Sequence, residues 1–302
     1  MRDVLTQCIE QPNAFVRQQM REKRHKTSFL SEAFETIGTG VDEELVHKWA
    51  ANSLFTGGSD TVHPLPLLMP LLPCLFDQTV SSLQSFFLAM MLFPEVQIKA
   101  REEIDRVIGC ERLPVSTDRD KLPYLVATMK EAHRWHPVAP MGIAHASTAE
   151  DTCNGYLIPK GATLLANVWW FTHDPAVYPD PMTFRPERFI ETPTHSPERD
   201  PRDFIFGFGR RVCPGRYVAD NAVFVTIAQS LAVFDISKPV DQAGNVIEPV
   251  VEFEPGTASH PVPYTADIRP RSEKHEALIR KSEEVYPWDP SDAKEFENVK
   301  WQ

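Results

Sequence analysis

The sequence predicts a mainly α-helical chain with a minor β-sheet. Apolar residues recur every three or four positions in several long stretches. One short stretch, 155–166, reads as a hairpin, and 174–214 is too dense in proline and arginine to follow either period.

In chain order, Gln11 to Arg24 is the first expected helix and Asp42 to Ser59 the second, with Leu45, Trp49, Ala50 and Leu54 on one face. From Pro94 to Ile108 the pattern is firmer: Val96, Ala100, Ile104 and Val107 share a face, Pro94 suits a first turn and Gly109 a stop. A helix from about Pro123 to Trp135 must end near Pro137, because the residue before proline avoids the helical region. Gly155 to Ala166 reads as two short apolar runs around a Pro-Lys-Gly turn. Asp174 to Pro214 reads as an ordered meander. Arg216 to Phe234 returns to helix, with Val218, Ala222, Val225 and Ala232 spaced for burial, and the charged stretch from Arg271 to Gln302 reads as a mobile tail.

Composition narrows the function. A content of 42% hydrophobic and 24% charged residues is that of a globular chain, and the net charge of −11 opposes nucleic acid as a partner. The basic run from Arg17 to Lys26 reads as a solvated helix face. The cysteines Cys8, Cys74, Cys110, Cys153 and Cys213 form no Cys-x-x-Cys pair, which opposes a structural zinc site and a disulfide framework. No signal peptide opens the chain, and the apolar run from Leu65 to Phe76 is short and broken by Pro66, Pro70 and Pro73. No membrane anchor is expected in these residues.

Three motifs carry chemistry. The most specific is Phe206-Gly-Phe-Gly-Arg-Arg-Val-Cys-Pro-Gly215, a glycine-rich turn delivering Cys213 to the start of a helix, where free N–H groups and the helix dipole stabilise a thiolate. Gly207, Gly209 and Gly215 let the backbone pass close to a flat ligand, and Arg211 can pair with an anionic group on it. The alternative is an inert buried cysteine. In the second motif Glu131 and Arg134 share a helix face; by spacing alone this is a surface ion pair. The third, Gly57-Gly-Ser-Asp-Thr61, is either a helix end or a local helix distortion, since glycine inside a helix is unfavourable by roughly 1 kcal/mol.

The first motif resembles the cysteine-ligand loop of cytochromes P-450, with Phe206, Gly209, Arg211, Cys213 and Gly215 on the pattern. The resemblance implies haem b as cofactor, Cys213 as the iron ligand and Arg211 against a haem propionate. His145 keeps two readings, a core or surface histidine and a further propionate contact. The family's Glu-x-x-Arg pair is closed by an arginine from a Pro-Glu-Arg-Phe stretch, which makes Arg188, in Phe184-Arg-Pro-Glu-Arg-Phe189, the third member of a structural triad with Glu131 and Arg134. By the same likeness Asp60 and Thr61 form the acid–hydroxyl pair that passes protons to bound oxygen. Implied partners are O₂, a small apolar substrate, facing segments such as Ala50 to Gly58, Val138 to His145 and Thr257 to His260, and an NADPH-dependent reductase. The texture of Pro201 to Lys238 resembles fungal members, whose full-length forms sit in the endoplasmic reticulum membrane.

Two departures qualify this. The resemblance covers residues 1–272, the C-terminal part of the family's fold, so the N-terminal part is expected to be missing; residues 273–302 form the tail. Residues 62–78, Val62 to Gln78, interrupt the central helix with Pro64, Pro66, Pro70 and Pro73. Without them the chain reads GGSDTTVSSLQSFFLAMML, a continuous helix, so the segment is expected to be a non-family insert, with an in-frame retained intron as its source. Two readings follow: a haem-thiolate monooxygenase, or a truncated, inactive remnant of one. A structural protein with no haem leaves the three ordered motifs without purpose.

Overall fold

The structure is a computed structural model that describes residues 2–36, 41–58, 78–287 and 292–299. Two compact units divide the chain, residues 1–76 with 287–302 and residues 77–286.

In the first unit α1 (Arg2–Arg21) starts well before the expected Gln11, and α2 (Phe29–Thr36) was not expected at all. The start of α2 is written in Ser28 and Ser31: the Ser31 amide donates to the Ser28 hydroxyl (3.2 Å) and the Ser28 amide to the Ser31 hydroxyl (2.8 Å), a reciprocal cap. The third helix, α3 (Val41–Gly58), matches the second expected one. Leu45 and Trp49 on its apolar face are more than half exposed, and His47 turns inward against Phe34.

In the second unit α4 (Gln78–Leu92) and α5 (Pro94–Val107) meet at a bend of 104°. Pro94 sets that bend: it cannot extend α4 but is preorganised to begin α5. Among the described residues no single helix is long and apolar enough to cross a membrane; this bent pair passes by length and composition together, and its apolar side chains largely line the core. The next helix, α6 (Pro123–Trp135), stops where expected, His136 being extended ahead of Pro137. Phe86, Leu88 and Met90 of α4, Val96, Ala100 and Ile104 of α5, and Leu125 and Met129 of α6 form the core, while Val107 is partly exposed.

The expected hairpin is corrected by the structure. Strands β1 (His145–Ala146), β2 (Asp151–Cys153), β3 (Tyr156–Ile158) and β4 (Thr163–Leu164) form two separate antiparallel ladders, β1 with β4 and β2 with β3. The tight hairpin turn is Asn154-Gly155, both at positive φ (50° and 84°), as a type I′ turn demands. The Pro-Lys-Gly turn, closed by Ala162 N–H to Pro159 O (3.1 Å), instead carries the chain from one ladder to the other.

After α7 (Val168–His173) the meander holds short helical turns, including Pro186–Phe189, Gly209–Arg211 and α8 (Arg202–Ile205), and an isolated antiparallel bridge between Thr192 and His195. It leads into α9 (Arg216–Val233), whose expected face is corrected in its first half only: Ala232 is buried and Val225 packs against the core as expected, but Val218 and Ala222 are exposed, and Val223, Phe224, Ile227 and Leu231 enter the core. The helix is apolar on several sides, so spacing alone does not select the buried one. Strand β5 (Phe234–Ser237) then pairs with β6 (Asp267–Pro270). Part of the expected tail is helical: α10 (Glu273–Val285) packs Leu278 and Ile279 against the core, an amphipathic stripe that the surrounding charges hide in the sequence. The last helix, α11 (Ala293–Glu297), belongs to the first unit, where the Gln11 side chain donates to Phe296 O (2.8 Å).

Three histidines of the second unit are buried. His136 stacks on Phe253 (3.5 Å, 13°), His173 on Trp169 (3.7 Å, 14°), and His133 meets Phe206 edge-on. Burial lowers His133 from 6.5 to about 4, His136 to about 3 and His173 to about 4. Above pH 6.5 folded and unfolded chains both keep these rings neutral, and the full stability is present. Between there and about pH 4 the unfolded chain binds protons that the folded one refuses, so stability falls. Urea midpoints measured across this window are expected to drop with pH, and to drop less in His133→Leu.

Candidate functional site

Helix α6 is the platform of the site. Its first turn is capped from α5: the buried Glu103 carboxylate accepts from the amides of Tyr124 and Leu125, both at 2.9 Å. Two turns on, Glu131 and Arg134 face inward with no side-chain exposure. Arg134 holds Glu131 by a two-pronged contact, Nε to Oε2 at 2.7 Å and Nη2 to Oε1 at 2.9 Å. Arg188, from the Pro186–Phe189 turn, approaches Oε1 at 3.3 Å and is equally buried.

Spare donors of both guanidinium groups go to carbonyls of α7 and the meander. Arg134 donates to Thr172 O (3.1 Å), and Arg188 to Asp180 O (2.7 Å), Thr183 O (3.2 Å) and Pro179 O. The Arg185 amide donates to Glu131 (2.7 Å), and Glu198 adds a second carboxylate beside Arg188 at 3.3 Å. Burial raises the Glu198 carboxyl, with the Arg188 charge opposing. One carboxylate and two arginines thus organise residues 172–198.

The meander delivers the cysteine loop. Phe206 O accepts from Cys213 N–H at 2.8 Å, closing the loop, and Gly207 and Gly209 sit at φ 77° and 57°, where a side chain is strained. Cys213 is a free, half-buried thiol three residues ahead of α9, whose N-terminus carries no side-chain cap. Gly215 lies beside it: a Cβ there would be 3.9 Å from Cys213 Sγ.

The structure brings Glu131, Arg134 and Arg188 together, and Phe206, Gly209, Cys213 and Gly215 into one loop. It does not bring Arg211 and His145 to any partner: both are exposed, His145 on β1 opposite Leu164, and among the described residues neither makes an ion pair. Asp60 and Thr61, with residues 62–77, lie outside the described residues. Sequence reasoning missed Glu198 and Glu103: no spacing ties either to its partner, and Glu103 stands among the other acids of α5, Glu102 and Asp105.

Removing the central carboxylate charge leaves two buried guanidinium groups facing a neutral amide. Glu131→Gln is expected to destabilise the second unit by about 3–5 kcal/mol, read as a lower urea midpoint, whereas Glu198→Gln is expected to lose about 1–2 kcal/mol.

Comparison with known proteins gives this geometry a family. The family model described as Cytochrome P450 matches residues 76–265. Cytochrome P450 monooxygenase claR of Ampulloclitocybe clavipes is 49% identical over 95% of the chain and 50% of its own length. O-methylsterigmatocystin oxidoreductase of Aspergillus flavus is 44% identical over 84% of the chain and 44% of its own length. A solved zebrafish cytochrome P450 with abiraterone superposes at a TM-score of 0.61, with 25% identity over 84% of this chain and 53% of that one. The chain therefore spans about half the length of the relatives it matches, which are largely fungal. On these grounds the chain belongs to the cytochrome P450 family.

Proposed function

We propose that the chain is the haem-binding part of a haem-thiolate monooxygenase that inserts one atom of O₂ into a small apolar organic molecule, with electrons from an NADPH-dependent reductase. The observation that carries this reading is Cys213, a free thiol held in a glycine loop at the uncapped start of α9.

The residues present fit haem b. Cys213 offers the soft sulfur donor that haem iron takes, and the positive-φ glycines put no side chain in the way of a planar ligand. Arg211 and His145, exposed and without ion-pair partners among the described residues, are suited to its propionates. When bound, haem with a thiolate ligand supplies an iron centre that favours O–O cleavage. The chain's own part is to present the Cys213 sulfur at the end of its glycine loop, just ahead of α9, and to hold that loop in place through the Glu131–Arg134–Arg188 cluster. Asp60 and Thr61 hold and pass a proton in this reading.

A second reading has a specific observation behind it. The four prolines between Val62 and Gln78 interrupt the segment that carries Asp60 and Thr61, and α4 begins at Gln78, where that run ends. The family match also starts at residue 76. Together they favour a catalytically inactive form, with residues 62–78 a retained intron translated in frame. Sequencing the transcript across the junction tests it: a genomic sequence without splice borders at Val62 and Gln78 removes the intron.

The first reading predicts a red-shifted thiolate–CO band when the haem-loaded chain is reduced under carbon monoxide, and its loss in Cys213→Ser. No band in the unaltered chain would leave family membership intact and favour the inactive form.

A further inference from the structure

The Cys213 loop is bounded by two charged residues that meet. Arg202, in α8, lies before it and Asp220, in α9, lies after it, with Arg202 Nη1 3.2 Å from Asp220 Oδ1. This pair is the middle of a chain of alternating charges. Asp200 holds Arg202 by both oxygens (2.9 and 2.6 Å), Lys130 of α6 reaches Asp200 at 2.9 Å, and Arg119 reaches Asp220 at 2.5 Å. The five side chains are between 14% and 32% exposed, so solvent screens them less than a surface pair. The chain ties α6 and the Ser116–Lys121 turn to both flanks of the cysteine.

Within the loop nothing comparable exists. Among the described residues no side chain from Phe204 to Tyr217 makes a hydrogen bond or ion pair beyond the loop, and its outward contacts run through rings: Phe206 on His133 (6.3 Å), Phe204 and Phe208 on Phe171, and the Arg199 guanidinium over Phe204 (4.4 Å). Ring contacts fix depth but tolerate sliding. A bond between the ends restricts the seventeen intervening residues, 203–219, at once.

We propose that Arg202 and Asp220 form a clasp across the two ends of the Cys213 loop and are positioning residues that keep it in its ligand-ready form. The proposal rests on the reading of Cys213 as iron ligand, yet the restraint itself is measurable without haem.

The test uses the full chain with Arg202→Gln, Asp220→Asn and the double variant. In haem-free protein, amide hydrogen exchange across 206–215 is expected to rise about fivefold in each single variant, with little further rise in the double and no change in the α4–α6 core. In haem-loaded protein the thiolate–CO band is expected to decay about fivefold sooner, and Asp220→Glu to recover most of its lifetime. Exchange that is unchanged, that rises equally through the core, or that multiplies in the double variant overturns the clasp. If Asp220→Asn does not fold, Arg202→Gln decides alone, because it leaves the Arg119–Asp220 pair in place. If the unaltered chain gives no thiolate–CO band, the ligand reading falls while the exchange comparison still judges the clasp.

Discussion

One buried carboxylate holds the second unit in order. Glu131 sits with Arg134 on one side, Arg188 on the other and the Arg185 amide above, and none of the three charged side chains reaches solvent. Such a cluster is costly to desolvate, and apolar residues of equal volume are often as stable. Its value lies in direction. Apolar packing would accept many paths for residues 174–214, which have too few regular hydrogen bonds to choose one; two guanidinium groups whose N–H donors are aimed at particular carbonyls and carboxylates accept very few.

That choice propagates along the chain. The carbonyls of Pro179, Asp180 and Thr183 are taken by Arg188, so the strand of meander leading to α8 leaves the cluster along a fixed path. Beyond α8 the backbone bonds of Phe206, Phe208 and Gly209 fold the loop onto itself and present Cys213 at the head of α9. An ionic cluster, a short helix and a glycine turn thus act in series, each orienting the next.

The sequence made much of this legible because it lies in local chemistry. The helices at 94–107 and 123–135 have apolar stripes, prolines at their starts and a breaker at their ends, so period and boundary agree. Glu131, Arg134 and Arg188 were found through two short motifs, not through the ion pairs themselves. Glu198 was not, since a contact ten residues away in an aperiodic stretch leaves no spacing to read. In the first turns of α9 spacing does not pick the buried face, because Val218 and Ala222 are apolar as Val223 and Phe224 are, and only the neighbours decide which turns inward; Val225 and Ala232, further on, do meet the core. The Pro-Lys-Gly run looks like a hairpin because it does form a turn; the stronger signal is Asn154-Gly155, whose two positive φ angles match strand twist.

Glu103 has a consequence beyond capping. By gripping two successive amides at the start of α6, it fixes the rotation of that helix about its own axis as well as its position. A helix advances about 100° per residue, so a slip of a single residue would swing Glu131 away from Arg188. The carboxylate on α5 therefore sets the angular phase of α6, and seven residues downstream that phase decides which side chain meets the meander. A shift of α5 would be transmitted to the cluster as a turn of a shaft.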